Sequence, residues 1–497
     1  MKKLTITLLV VVVILLALPG LLGKLAQDQI QEQAELASGN PFLTLLIKDY
    51  DRGWFSSTLR YELNFTDEYR ELISDPTADG AVSSLDSAVQ ELIAPFELES
   101  KIGHGPVGFL KGPFFGLYRS ATTESANNPK LSEFLSEAGM PYLLSIHSTT
   151  SLFGTTKFDF EIPASAQTNN TSENPPTGGS LASKLVFSGT TGNATFASES
   201  KRLQMASQID NLSVKDGNAE FTLQGMIFNA DQTIISNLTG LGPANVSISS
   251  LVVRDPDGAD ASAMTMQDLT FSMNSDYGSS NQTVDVEMSY GIAQMLIADQ
   301  TITDVELTMS ARELSLSALQ KYNDWTQELA ITTSNDPGEQ DAMLNEIIPI
   351  VHEFASTSPQ ISIGPIQLTA NGESFLASLN INLDGSALPA LAEFNPMDPA
   401  FWLSGDASLS LSEKMATLLA VSTAQSQLQA AIGDEAGIPP EQIQQMAVAQ
   451  APILLQTLVQ QGMLQHQDGQ ISANVSYANN ALLLNGNPLP MEALLGL

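Results

Sequence analysis

Val284-Asp285-Val286-Glu287-Met288-Ser289-Tyr290 alternates apolar and polar residues without a break. Successive side chains of an extended strand point to opposite faces. Val284, Val286, Met288 and Tyr290 therefore share one face, and Asp285, Glu287 and Ser289 the other. The same alternation recurs in Glu220-Phe221-Thr222-Leu223 and in Val305-Glu306-Leu307-Thr308-Met309. Turn-forming runs separate such stretches: Asp216-Gly217-Asn218, Asp255-Pro256-Asp257-Gly258 and Tyr277-Gly278-Ser279. Residues 140–312 are thus predicted to form an antiparallel meander with one buried face. A loop at 164–180 interrupts it, marked by Asn169-Asn170, Pro175-Pro176 and Gly178-Gly179.

Toward the N-terminus, Leu43, Leu45 and Ile47 alternate with neighbours that include Thr44 and Lys48. Ser57, Leu59, Tyr61, Leu63 and Phe65 alternate with Thr58, Arg60, Glu62 and Asn64. With Tyr50-Asp51-Arg52-Gly53-Trp54-Phe55 between them, residues 43–65 form a β-hairpin, and Gly53 is expected to supply a positive φ. Trp54 and Phe55 are expected to be buried there, so that Trp54→Ala costs ~3–5 kcal/mol. Helical patterns cover 24–38, 82–94 and 130–138. Toward the C-terminus, Ala318, Tyr322, Trp325 and Leu329 make one helical stripe. Leu344, Ile347, Ile348, Val351 and Ala355 make a second, with Pro349 a kink or break. Strands follow at 359–383, helices at 411–431 and 439–463, a hairpin around Asn479-Asn480, and a short helix at Met491–Leu495.

The fold class is β-rich α+β: one N-terminal transmembrane helix, then a long antiparallel sheet with helices packed on part of it. The regions expected are 1–23, a membrane anchor; 24–139, α+β with the hairpin; 140–312, the meander; and 313–497, mixed helices and strands ending in a hairpin.

Hydrophobic residues make up 43% of the 497, enough for a real core. The formal net charge of −35 repels nucleic acid and anionic lipid alike. Its acids are scattered, which reads as a solubilising surface. With no cysteine, disulfides, thiolate metal sites, cysteine nucleophiles and a lipoprotein anchor are excluded.

Met1-Lys2-Lys3 precedes an uncharged run, Leu4–Leu22, long enough as a helix to cross about 28 Å. It ends Leu18-Pro19-Gly20-Leu21-Leu22-Gly23-Lys24, with no small-x-small cleavage site. The run is therefore an uncleaved anchor, with a cytoplasmic N-terminus and residues 24–497 outside.

No motif carries recognisable chemistry. Arg52, between aromatics, suits a carboxylate or phosphate, but pairing with an acid or stacking on Trp54 explains it as well. His104 lies in a Gly-Pro turn. His147, His352 and His466 have no zinc spacing, and Glu353 beside His352 points to another helix face. Asp255, Asp257 and Asp260 around Gly258 lack the spacing of an EF-hand and suit a turn. No catalytic residue, metal ligand or cofactor is assigned.

Three motifs carry a resemblance. Tyr50-Asp51-Arg52-Gly53-Trp54-Phe55-Ser56-Ser57 follows the anchor, Gly103-His104-Gly105-Pro106 follows that, and Tyr477-Ala478-Asn479 with Leu484-Asn485-Gly486 closes the chain. In these and in the order of its elements the chain resembles the YdgA-like proteins, a proteobacterial envelope family of unknown function. The polar loop at 164–180 and the segment near 75–95 are longer than is typical of it. The resemblance implies an inner-membrane anchor and a periplasmic body, and no active site. The function expected is non-enzymatic: a scaffold or binding protein presenting an apolar β-groove to a lipid or polypeptide. The alternative is an assembly factor acting by protein contacts, with a homo-oligomer among its forms; an envelope hydrolase ranks third. The partners expected are the inner membrane, through residues 4–22, and a lipid or envelope protein.

The anchor is checked by N-terminal sequencing of protein purified from membranes, which should begin at Met1; a start near Gln27 would mean cleavage. Alkaline phosphatase fused after Leu497 should be active if the body is periplasmic.

Overall fold

The computed structural model describes residues 24–28, 30–31, 43–66, 96–104, 116–124, 129–165, 185–216, 219–235, 240–254, 263–297, 300–331, 337–395, 402–432 and 439–489. The anchor run, the predicted helix at 82–94, Asp255, Asp257 and Asp260, most of the 164–180 loop and the Met491–Leu495 helix lie outside them. No helix among the described residues is long and apolar enough to cross a membrane. The chain divides into two units between Ala263 and Met264.

In the first unit the strands are β1 (Leu43–Arg52), β2 (Ser56–Phe65), β3 (Phe96–His104), β4 (Tyr118–Glu124), β5 (Ser145–Thr150), β6 (Thr155–Ile162), β7 (Leu185–Phe187), β8 (Thr190–Ala197), β9 (Arg202–Asp216), β10 (Ala219–Ile234) and β11 (Gly240–Arg254). One helix, α1 (Pro129–Ala138), lies between β4 and β5. Each strand pairs antiparallel with the next, except that β7 and β8 share one edge of β9 and β6 pairs with β8. Residues 24–28 and 30–31 are helical. Ala26 is buried with Leu59, Ile102, Leu117 and Tyr118. A second cluster joins Leu135, Ala138, Met140 and Phe187 beneath α1.

The second unit continues the pattern: β12 (Met264–Tyr277), β13 (Thr283–Ile297), β14 (Gln300–Ser315), β15 (Gln360–Ala370), β16 (Glu373–Leu383), β17 (Leu403–Ser412), β18 (Gln465–Gln467), β19 (Gln470–Ala478), β20 (Ala481–Leu484) and β21 (Asn487–Leu489). Two helical hairpins are inserted, α2 (Leu316–Ile331) with α3 (Pro337–Ser356), and α4 (Glu413–Ile432) with α5 (Pro440–Gln460). Both insertions start on a serine at the end of a strand. Ser315 Oγ accepts from Ala318 N–H at 3.2 Å, and Ser412 Oγ from Met415 N–H at 3.2 Å. Each hydroxyl satisfies one N–H that the first helical turn leaves open. The strand alternation therefore stops where a capping residue and a helical stripe take over.

Strands run through the described chain from Leu43 to Leu489, well beyond the 140–312 expected for the meander. Pro349 lies inside α3 and does not end it. Its missing N–H removes one helical bond without stopping the apolar stripe from continuing to Ala355.

Leu411, Met415, Ala416 and Ile471 are the buried cluster where α4 meets the sheet. Leu411→Ala should cost ~2–5 kcal/mol in denaturant titration, whereas Leu376→Ala, at an exposed position on β16, should cost under ~1 kcal/mol.

Candidate functional site

The two N-terminal motifs, 47 residues apart, meet at one end of the first unit. Arg52 pairs with Ser57 across the β1–β2 hairpin. Ser56 pairs with Gly103, and Ser57 with Ile102. The His104 N–H donates to the Phe55 carbonyl at 2.9 Å. Ser57 Oγ and His104 Nε2 are 3.0 Å apart, both buried, His104 to 1% exposure. Gly105 and Pro106 lie outside the described residues.

Around this pair the same sheet face is closed, and beside the buried Leu59 and Ile102 it carries a row of hydroxyls. Thr122 donates to Ser100 at 3.0 Å, and hydroxyl pairs join Ser120 to Ser148 (2.6 Å) and Thr150 to Thr156 (3.0 Å). Small hydroxyl residues let neighbouring strands satisfy one another side chain to side chain. Tyr118 pairs with His104 across β3–β4. Burial raises the Tyr118 pKa, opposed by the Thr150 and Thr156 hydroxyls. Burial likewise raises that of Tyr50, opposed by Ser57 and by the charge of Arg52. The Tyr50 hydroxyl and His104 Nδ1 are buried without a hydrogen bond of standard geometry.

Burial lowers the His104 pKa below the usual histidine value; the Arg52 charge lowers it further and the Trp54 backbone opposes. Ser57 and His104 have the separation of a nucleophile and its base, and the neutral ring is the form a base requires. Two features of that chemistry are missing. Neither group is open to a substrate, and no carboxylate among the described residues orients Nδ1. The geometry instead clamps the first hairpin onto β3.

Two expectations for the hairpin are corrected. Trp54 is 58% exposed and Phe55 is exposed as well, because both sit in the turn, beyond the last residues paired between β1 and β2. The cost of deleting a buried aromatic does not apply to Trp54. Gly53 has no positive φ. A Cβ there would lie 2.6 Å from the Ser56 carbonyl oxygen, to which Gly53 N–H donates at 2.8 Å. Close backbone approach is what requires glycine. Arg52 is exposed and forms no salt bridge among the described residues.

The C-terminal motif is a separate structural device. Asn479 and Asn480 both have positive φ, as do Asn485 and Gly486, and each pair closes a two-residue hairpin. Asn485 Nδ2 donates to the Gly462 and Met463 carbonyls at 2.9 and 3.1 Å, tying the last turn to the end of α5. Tyr477 Oη donates to Asn480 Oδ1 at 3.3 Å.

The chain belongs to a bacterial protein family of unknown function (DUF945). The family's model matches residues 1–492. No curated protein and no solved structure matches the chain.

The remaining histidines of this family member stay apart. His352 Nε2 lies 3.0 Å from the Pro389 carbonyl, and its ring meets Phe394 edge-on. His466 lies 3.5 Å from Glu413, and Glu353 pairs with Lys321. No group of three potential metal ligands occurs among the described residues.

The feature that no short motif announced is a ladder of apolar residues across the second unit. Met273, Met288, Met309, Ile363, Leu379, Ala407, Val475 and Leu484 face one another strand by strand. All are only half-buried. Along β13, Val284 beside α2 is 1% exposed, Val286 and Met288 are intermediate, and Tyr290, against Phe271, is 40% exposed. Among the described residues the two helical hairpins pack on part of this sheet: α2 and α3 lie against β14, and α4 against β16, β17 and β19.

Because its folded pKa is depressed, His104 contributes stability that is present above the unfolded histidine pKa near 6.5 and lost as pH falls toward the folded value. Unfolding titrations from pH 7.5 downward should show this loss, and His104→Gln should remove that component of the pH dependence.

Proposed function

We propose that this protein is a YdgA-like envelope protein, held in the bacterial inner membrane by residues 4–22, with its body in the periplasm. It works by binding and not by catalysis, and its half-covered sheet face takes up lipid acyl chains. The observation that carries this reading is the ladder from Met273 to Leu484. It spans eight strands, about 34 Å at the usual strand spacing, and none of its members is fully buried. Monomers rarely leave a contiguous apolar surface of this extent open without a use for it. Met, Leu, Ile and Val offer no directional bonds, which suits a flexible hydrocarbon chain better than a polar metabolite.

A second reading, an assembly factor that works through protein contacts or self-association, is supported by the α4–α5 hairpin. Leu418, Leu419, Met446, Val448 and Ile453 all stand exposed on it.

The two separate on one experiment. Full-length protein purified from membranes is extracted and its lipids are weighed by mass spectrometry against those of the double variant Met288→Glu, Leu379→Glu. The binding reading expects the variant to lose most of the lipid with little change in unfolding midpoint, since both positions are half-exposed. Equal lipid in both would refute it, and loss of an oligomer in Leu418→Glu, Ile453→Glu would favour assembly.

A further inference from the structure

In the first unit, alternate strand connections fall at the same end of the sheet. Arg52 pairs with Ser57, His104 with Tyr118, and Thr150 with Thr156, so β1 to β6 all begin or finish there. Among the described residues, two turns at this end carry large apolar residues. The β1–β2 turn holds Trp54 and Phe55, and the β5–β6 turn holds Leu152 and Phe153. Phe153 is 87% exposed, the highest value among the described large apolar residues.

Folding of the β5–β6 turn does not call for those side chains. Its bonds are made by the backbone and by Ser151: Ser151 N–H to the Thr155 carbonyl at 2.8 Å, Thr155 N–H to Ser151 Oγ at 3.1 Å and Phe153 N–H to Ser151 Oγ at 3.3 Å. Gly154 supplies the positive φ. Any small polar pair would serve at Leu152 and Phe153.

Two further observations say what these residues meet. The first is where the apolar run before Lys24 ends. Ala26 is fully buried among Leu59, Ile102, Leu117 and Tyr118, residues within four positions of these strand ends. Two residues of helix back from Ala26 is only ~3 Å. The chain thus enters the described structure beside the apolar turns, straight from Leu4–Leu22. The second is local charge. Among the exposed residues in the three positions of each strand nearest this end, Arg52 and Lys157 stand against one acid, Asp51. The chain as a whole carries −35.

We propose that this end of the sheet rests on the bilayer that holds residues 4–22, with Trp54, Phe55, Leu152 and Phe153 entering the boundary between head groups and acyl chains. The proposal rests on the anchor reading given above. Tryptophan and phenylalanine favour that boundary, and Arg52 and Lys157 meet lipid phosphates there. A transmembrane helix alone leaves the body free to swing. With the two apolar turns seated beside it, the strands of the first unit stand at a fixed angle to the membrane.

The chain has no cysteine, so single cysteines report one place each. Phe153→Cys places an environment-sensitive nitrobenzoxadiazole label on the turn. Leu46→Cys, exposed on β1 six residues before Arg52, places it ~20 Å away along the strand. Full-length protein is reconstituted in phosphatidylethanolamine–phosphatidylglycerol vesicles, with or without nitroxide on the acyl chains, and floated on a gradient. The Phe153→Cys label should shift to the blue and lose most of its emission to the nitroxide, while the Leu46→Cys label keeps its emission. A chain that floats with both labels water-like overturns the membrane contact and leaves the anchor standing. A blue-shifted but unquenched Phe153→Cys label means a protein partner and also overturns it. A chain that does not float removes the anchor reading, and this proposal with it.

Discussion

In the second unit, Met273, Met288, Met309 and Ile363 face one another across four strands because each consecutive pair keeps its register. A slip of one residue in any pair would turn that strand's whole apolar set to the opposite face. The remaining features follow from this constraint. Short turns fix the register locally between β12 and β13, β13 and β14, and β15 and β16, whereas β14 and β15 keep theirs across the inserted α2–α3 hairpin. Where the register shifts, between Ile363 and Ile366 against Met309 and Leu307, the apolar residues still meet, so the irregularity preserves the face. The first unit obeys the same rule, with Ile209, Met226 and Ile248 aligned across β9, β10 and β11.

The sequence made the faces legible but not their cover. Period two says that Val284 and Tyr290 point the same way, and it is silent on what lies above them. Val284 is buried and Tyr290 is 40% exposed, which depends on what packs over each end of the strand. Trp54 and Phe55 failed for the same reason: an aromatic pair after a strand signals burial only if another layer reaches that far. The hairpin at 43–65, the capped helices near 313 and 411, and the terminal Asn turns depend on neighbours a few residues away, and those were readable. The Ser57–His104 contact depends on β2 and β3 keeping register across the 30 residues that separate them. Nothing local to Ser57 or to His104 signals it, although the recurrence of both in family-like motifs was the available hint.

The Ser57–His104 pair satisfies buried polar atoms without burying a charge. Removing Ser57 from water costs it hydrogen bonds that His104 returns, and the buried ring remains neutral at small cost because its pKa is already depressed. The clamp therefore adds specificity to the β2–β3 register without introducing a buried charge. Burial, with the Arg52 charge nearby, tilts the ring toward the neutral state, and no acid among the described residues hydrogen-bonds Nδ1 to oppose it.

An open apolar face raises a problem of self-association, and the pattern that creates the face also addresses it. Asp285 and Glu287 occupy the β13 positions between Val284, Val286 and Met288. Glu306 does the same between Val305 and Leu307. β13 and β14 thus add acids to one face of the sheet as they add apolar residues to the other. The result is a chain at −35 whose carboxylates are spread over the strands and not gathered in a tail. Two copies approaching one another bring many like charges together, which opposes face-to-face stacking at low ionic strength. This repulsion weakens as salt shortens the Debye length, whereas apolar contact does not. A neutral acyl chain meets no such barrier at any ionic strength. Under the binding reading proposed above, the acidic surface and the apolar ladder together favour a small uncharged hydrocarbon over a second copy of the chain, and the preference should be strongest in dilute salt.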